Sequence, residues 1–104
     1  MDRKKAEAHI RFLAEVDRIA LTAHAMVRNP GAGKQPLTRE QIKRCLIHGS
    51  VVEGPVPDLR EPNGWKFTMR RFRTGEAHEV AGVLVVERKI LVITGYEWVK
   101  PGRA

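Results

Sequence analysis

Basic side chains concentrate in residues 65–78, where four cations accompany one acid, Glu76, so the segment carries +3 of the net charge of +7. A guanidinium group binds phosphate through paired hydrogen bonds, and an aromatic ring stacks on a nucleobase. Because Trp65 and Phe67 lie among the cations, the pattern predicts a nucleic-acid-binding strand. The alternative is a solvated edge strand whose charges prevent aggregation. The cations concerned are Lys66, Arg70, Arg71 and Arg73.

Two histidines have neighbours that suit acid–base chemistry. His24 and Arg28 are four residues apart, so on a helix they share one face. A neutral imidazole accepts a proton while the guanidinium binds a phosphate. His78 lies beside the basic strand and is a candidate for a second acid or base. The alternative for a helix histidine is a structural or simply exposed side chain.

Tyr96 lies near the end of the last apolar segment. Its phenol could reach the same cleft as Arg71 and His24, or it packs with its hydroxyl outward. No histidine pair has metal-ligand spacing with a cysteine, so we expect no metal site, and no cofactor motif is found. The candidate catalytic residues are therefore His24, His78, Arg71 and Tyr96, and the candidate nucleic-acid-binding residues are Arg28, Lys66, Arg70 and Arg73.

Two Val- and Ile-rich runs, residues 80–86 and 90–93, predict the central antiparallel hairpin that must position these groups. Both runs are apolar at odd and even positions, which is typical of strands covered on both faces. Residues 65–73 alternate as a further strand. Trp65, Phe67 and Met69 share one face with Arg71 and Arg73, and Lys66, Thr68 and Arg70 share the other.

Helices are expected before these strands. Apolar residues recur at three- and four-residue steps through residues 1–28, as one helix or two, up to Asn29-Pro30-Gly31. Thr38 and Gln41 have the spacing of a capping box that starts a second helix, which Gly49 ends. A first strand begins near residue 51, and residues 54–64, with three prolines, are expected to form an irregular loop. The order predicts an α+β fold, with N-terminal helices on one face of a three- to four-stranded antiparallel sheet.

Length and composition limit the class of protein. A chain of 104 residues is expected to form a single domain over residues 1–104, with a helical extension at 1–19, a core at 20–98 and a tail at 99–104. The basic charge favours polyanionic partners. The lone Cys45 indicates a reducing compartment, and no apolar run approaches the ~18 residues of a membrane span, so we expect a cytoplasmic protein with no membrane partner.

The segment at residues 21–28, Leu-Thr-Ala-His-Ala-Met-Val-Arg, is followed by a helix ending at His48-Gly49 and a closing strand with Thr94 near its end. This order resembles a family of small bacterial proteins of unknown function with a T-x-H-A…R opening. The family is similar to the barnase–EndoU–colicin–RelE group of ribonuclease-like domains, many of them toxins. The resemblance implies a RelE- or barnase-like fold and matches His24 to the family's histidine.

The function implied by the resemblance is metal-independent RNA cleavage by a toxin-like domain, or RNA binding by a decayed version of it, with an antitoxin-type protein as a further partner. Whether the chain is an enzyme stays open at this point. The alternative is a non-catalytic module that binds nucleic acid or protein. Because both faces of the central strands are apolar, such a module could form a homodimer through the sheet.

Overall fold

The computed structural model describes residues 1–27 and 37–99, with side chains described for 1–21 and 37–99. Two helices, α1 (Arg3–Glu15) and α2 (Arg39–His48), pack against a five-stranded sheet. The strands are β1 (Ile19–Val27), β2 (Ser50–Pro57), β3 (Gly64–Arg73), β4 (Glu76–Val85) and β5 (Ile90–Val99), and they lie in the order β1-β5-β4-β3-β2. Strand β1 runs parallel to β5, and the other neighbours are antiparallel. The α+β class is confirmed, but the prediction of three or four purely antiparallel strands is wrong.

The prediction of helix across residues 1–28 is wrong for residues 19–27, which form strand β1. Asp2 caps α1, its carboxylate accepting a 2.8 Å hydrogen bond from Lys5 N. The helix ends because Asp17 adopts φ 60°, and the N–H groups of Asp17 and Arg18 bond back to Ala14 and Leu13. Asp tolerates this left-handed conformation, which glycine usually supplies at a helix end. The apolar residues of β1 fit a strand as well as a helix, and pairing with β5 decides between them.

The predicted second helix, which starts at a capping box and ends at Gly49, is confirmed as α2. The capping box of Thr38 and Gln41 is present, with hydrogen bonds of 3.1 Å and 2.8 Å in the two directions. Gly49 follows the helix in an extended conformation, with φ −82°. A Cβ at Gly49 would lie 2.7 Å from the Arg70 carbonyl oxygen, so glycine is needed here for the close approach of α2 to β3.

Strand β2 begins where a first strand was predicted and continues through residues 54–57, which were expected to form a loop. It is an edge strand with two register irregularities, which is where prolines are tolerated in a sheet. Side chains of α1 bind its backbone: Arg3 Nε donates to the Gly54 carbonyl at 3.2 Å, and Glu7 accepts from Val51 N at 3.1 Å. These contacts anchor α1 to the sheet and occupy backbone groups that an edge strand otherwise presents for pairing.

The hairpin of β4 and β5 is confirmed as the centre of the sheet, and β3 is confirmed as an alternating strand. Val80, Leu84 and Leu91 are fully buried in the main core cluster, together with residues of both helices. Val83 and Val85 alternate with them on β4 and are also buried. The central strands are therefore apolar on both faces, as their sequence predicts.

Some predictions lie outside the described residues, namely the loop at 31–36, Arg28, and the tail from residue 100 onward. Neither helix of the described part of the chain is long and apolar enough to cross a membrane.

Candidate phosphate-binding site

The basic residues of β3 are divided between the two faces of the sheet. Arg71 and Arg73 share the face of the buried residues Phe67 and Met69, which belong to the core that includes the helices, while Lys66 and Arg70 alternate with them on the opposite face. The sequence alternation predicts this division. Consequently the four cations do not form one patch, and two separate surfaces must be considered.

Three side chains form a row across the end of the helix-covered face. Arg71 of β3 lies directly opposite His78 of β4, and His78 lies directly opposite Trp98 of β5. Side chains opposite each other on antiparallel strands contact each other, since their Cβ atoms are about 5 Å apart. Tyr96 belongs to the next row inward, opposite the buried Val80.

His78 is the buried member of this row, with 1% of its surface exposed. Its Nε2 lies 3.3 Å from Oε1 of Glu76, and its Nδ1 has no hydrogen-bond partner among the described residues. Burial lowers the pKa of His78 below its ordinary value of 6.5; Glu76 opposes this shift, and the charges of Arg73 and Arg71 add to it. The ring is therefore neutral at pH 7. Because an ionised carboxylate only accepts hydrogen bonds, Nε2 carries the proton, and Nδ1 presents a lone pair.

The two arginines of this face form no ion pair within the described residues. Nη1 of Arg71 is buried and has no hydrogen-bond partner in the described part of the chain, and Arg73 is exposed and forms no ion pair there. Leaving a charged donor buried without a partner is costly, so an arrangement of this kind suits an anion or ordered water that completes the hydrogen bonds. A phosphate supplies both the charge and the acceptor oxygens.

Cys45 of α2 packs over the inner end of this row. Its Sγ lies 3.4 Å from the His78 carbonyl oxygen and 3.7 Å from that of Met69, and the residue is fully buried. Burial raises the pKa of its thiol to about 12, in spite of the opposing charge of Arg71. The thiol is thus protonated and acts as packing, which agrees with its position on the apolar side of α2.

Arg70 on the opposite face has a structural partner. Its Nε donates to Oε2 of Glu79 at 2.7 Å, and its Nη2 donates to the same oxygen. The Glu79 side chain is 8% exposed, and the Arg70 side chain is 35% exposed. The guanidinium also lies 5.9 Å from the ring centre of Phe72. Arg70 is therefore committed to a buried carboxylate, whereas Lys66 is exposed on that face.

His24 does not lie on a helix, because its backbone belongs to β1. It falls in the irregular part of that strand, between the pairs Leu21–Ile93 and Met26–Gly95. Strand spacings place its backbone roughly 15 Å from that of His78. The pairing of His24 with Arg28 on one helix face is thus wrong, and Arg28 itself lies outside the described residues. Tyr96, by contrast, is partly exposed on the same face as Arg71 and one row from it.

Two residues of the site were missed in the sequence. Glu76 is the hydrogen-bond partner of His78, and Trp98 touches the ring of His78 edge-on, with centroids 4.7 Å apart at 69°. The register of the β4–β5 hairpin is the signal that places Trp98 opposite His78. Among the residues with described side chains, no three His, Cys, Asp or Glu are grouped so that they could hold a metal ion.

The chain matches no protein-family model, no curated protein and no solved structure. The similarity to ribonuclease toxins therefore stays a prediction.

Proposed function

We propose that the protein binds RNA and that phosphate groups lie against Arg71 and Arg73 at the end of the helix-covered face. The observation that carries this proposal is Nη1 of Arg71, a buried charged donor that has no hydrogen-bond partner among the described residues. The exposed Arg73 adds a second cation on the same face. Guanidinium groups favour phosphate because their planar donors match its oxygens.

The charge of the whole chain supports the same ligand. A net charge of +7 on 104 residues attracts polyanions over long range and increases their rate of association. On the described β3 segment the arginines of the site are not neutralised by ion pairs, in contrast to Arg70. The long-range attraction brings the RNA to the protein, and Arg71 and Arg73 give its backbone a defined place.

The test is the affinity for a fluorescently labelled RNA, measured by anisotropy over a range of salt concentrations. Arg71→Gln and Arg73→Gln are each expected to weaken binding and to reduce the salt slope by about 0.7 to 1. The matched control is Arg44→Gln, which removes the same charge from an exposed position on α2, where Arg44 pairs with Glu40 at 3.1 Å. If the control weakens binding as much as Arg71→Gln and Arg73→Gln do, the binding is unspecific attraction and the proposed site is wrong.

A second candidate function, metal-independent RNA cleavage, is favoured by the geometry of His78. Glu76 holds Nε2, which leaves the Nδ1 lone pair as a base that could take the proton of a ribose 2′-hydroxyl. The 2′-oxygen would then attack phosphorus, the bond to the 5′-oxygen would break, and the leaving oxygen would take up a proton from an acid. Tyr96, one row from His78 on the same face, is the candidate for that acid. Because His78 is 1% exposed, binding is better supported than cleavage.

Incubation with single-stranded RNA in EDTA separates the two functions. Cleavage that persists in EDTA and is lost in His78→Gln and Glu76→Gln would support catalysis at this site. Binding without cleavage would leave the protein as a binding module. His24→Ala is the corresponding test for the residue suggested by the family resemblance, and unchanged cleavage in that variant would remove His24 from the mechanism.

An antitoxin-type protein partner and a homodimer through the sheet stay predictions. Light scattering after gel filtration measures the oligomeric state directly. A monomer at micromolar concentration would contradict the homodimer.

A further inference from the structure

An aromatic side chain lies beside the arginines on the site's own face. Trp98 occupies the same cross-strand row as Arg71, with His78 between them, and its side chain is partly exposed. Two strand spacings separate Arg71 from Trp98, roughly 10 Å between their backbones. The arginine side chain is long and flexible, so its guanidinium can lie closer to the indole than the two backbones do. A single nucleotide can then span the gap, with its base on the indole and its phosphate on the guanidinium.

The two aromatic residues that the sequence suggested for stacking, Trp65 and Phe67, do not lie next to Arg71 and Arg73. Phe67 is 4% exposed and belongs to the core. Trp65 shares the face of Arg71 but lies six residues away along β3, at the opposite end of the strand, roughly 20 Å distant. Phe72 is exposed but lies on the opposite face, beside Arg70. Tyr96 lies on this face but one row inward, and Trp98 is the aromatic residue that shares the row of Arg71 and His78.

We infer that the site takes single-stranded RNA, with an unpaired base stacked on Trp98 and the adjacent phosphate bound by Arg71 and Arg73. This inference rests on the proposed RNA binding and names its substrate class. A base in a duplex already stacks on its neighbours and offers its faces only at the helix end, whereas unpaired bases are free to stack on aromatic side chains. Double-stranded RNA would reach the same arginines but not the indole.

The experiment compares Trp98→Leu with Trp65→Leu, which makes the same change on the same face at the far end of the strand. Anisotropy titrations use one labelled RNA as a single strand and as a blunt duplex. For the single strand, Trp98→Leu is expected to weaken binding by about 5- to 150-fold, the equivalent of one lost base–aromatic stack, without a change in the salt slope. Trp65→Leu is expected to bind like the wild type, and Trp98→Phe to retain most of the affinity.

A second measurement does not depend on removing Trp98. In the Trp65→Phe background, the fluorescence of the protein reports on Trp98, and stacking of a base is expected to quench it on addition of the single strand but not of the duplex. Far-UV circular dichroism and urea unfolding verify that each variant is folded.

The outcomes separate this inference from the proposed function. If the wild type binds the two forms of RNA equally, or if Trp98→Leu binds the single strand like the wild type, the substrate class is wrong. In that case the loss of binding in Arg71→Gln and Arg73→Gln still supports RNA binding through phosphates. If neither form of RNA binds to the wild type, both the proposed function and this inference are wrong.

Discussion

Arg70→Ala is expected to destabilise the protein by about 2 kcal/mol while leaving RNA binding close to that of the wild type. Removal of one partner from a fully buried ion pair costs about 3–5 kcal/mol, and an exposed pair contributes about 0–1 kcal/mol. The pair of Arg70 and Glu79 is intermediate, because the carboxylate is 8% exposed and the arginine side chain 35%. Without Arg70, the buried Glu79 loses the two donors that bind its Oε2.

Urea unfolding followed by circular dichroism measures this loss. With a slope of about 1–3 kcal/mol per M, the midpoint is expected to fall by roughly 1 M. The control is Lys66→Ala, which removes a cation from the same strand and the same face at an exposed position and is expected to change stability by about 0.5 kcal/mol or less. A double replacement of Arg70 and Glu79 by methionine is expected to recover much of the stability, because it removes both charges of the pair.

Two results would refute this reasoning. One is a stability for Arg70→Ala equal to that of Lys66→Ala, which would show that the ion pair contributes nothing to folding. The other is a loss of RNA affinity in Arg70→Ala as large as that in Arg71→Gln. That result would show that Arg70 contributes to RNA binding, as the sequence predicted.

The pKa of His78 lies below 6.5 because of its burial, so the unfolded chain binds a proton that the folded chain does not. Stability is therefore expected to fall as the pH drops below about 6.5, and urea midpoints at about pH 7.5 and about pH 5.5 should differ less in His78→Gln than in the wild type. Cys45, whose thiol has a pKa of about 12, is expected to stay unmodified by maleimide in the native protein and to react in urea; rapid native labelling would contradict its burial. Gly49→Ala is expected to cost about 1–3 kcal/mol, because the new Cβ would lie 2.5 Å from the Cys45 carbonyl oxygen; a melting temperature equal to that of the wild type would show that the backbone yields there. Thr38→Ala is expected to cost about 1 kcal/mol by removing the cap of α2, and an unchanged urea midpoint would mean that this cap is dispensable.

The sequence predicted correctly those elements that are marked by residues close together in the chain. The capping box at Thr38, the alternation along β3 and the Val- and Ile-rich hairpin all appear in the structure where the sequence placed them. Element β1 was misread because its apolar residues satisfy helical and strand spacing alike, and Asp17 ends α1 without the glycine that usually marks such an end.

The candidate site was predictable in part. The sequence identified Arg71, Arg73 and His78, which the fold brings to one face, and Tyr96, which lies one row away. It also grouped Arg70 with them, although the pairing of Arg70 with Glu79 across two strands removes it from the site. Trp98 was missed because its neighbour His78 lies 20 residues earlier in the chain and meets it only through the hairpin register.

By itself, the sequence determined the α2 cap, the two-sided apolar hairpin, the concentration of positive charge on β3 and the alternation that separates Arg70 from Arg71. These properties follow from side-chain type and from periods of two to four residues, which operate within one element. The tertiary structure decided that residues 19–27 pair with β5 as a strand, that Glu79 neutralises Arg70, and that His78 is buried between Arg71 and Trp98. Each of these depends on contacts between residues distant in the chain, whose partners are fixed only when the strands adopt their order and register.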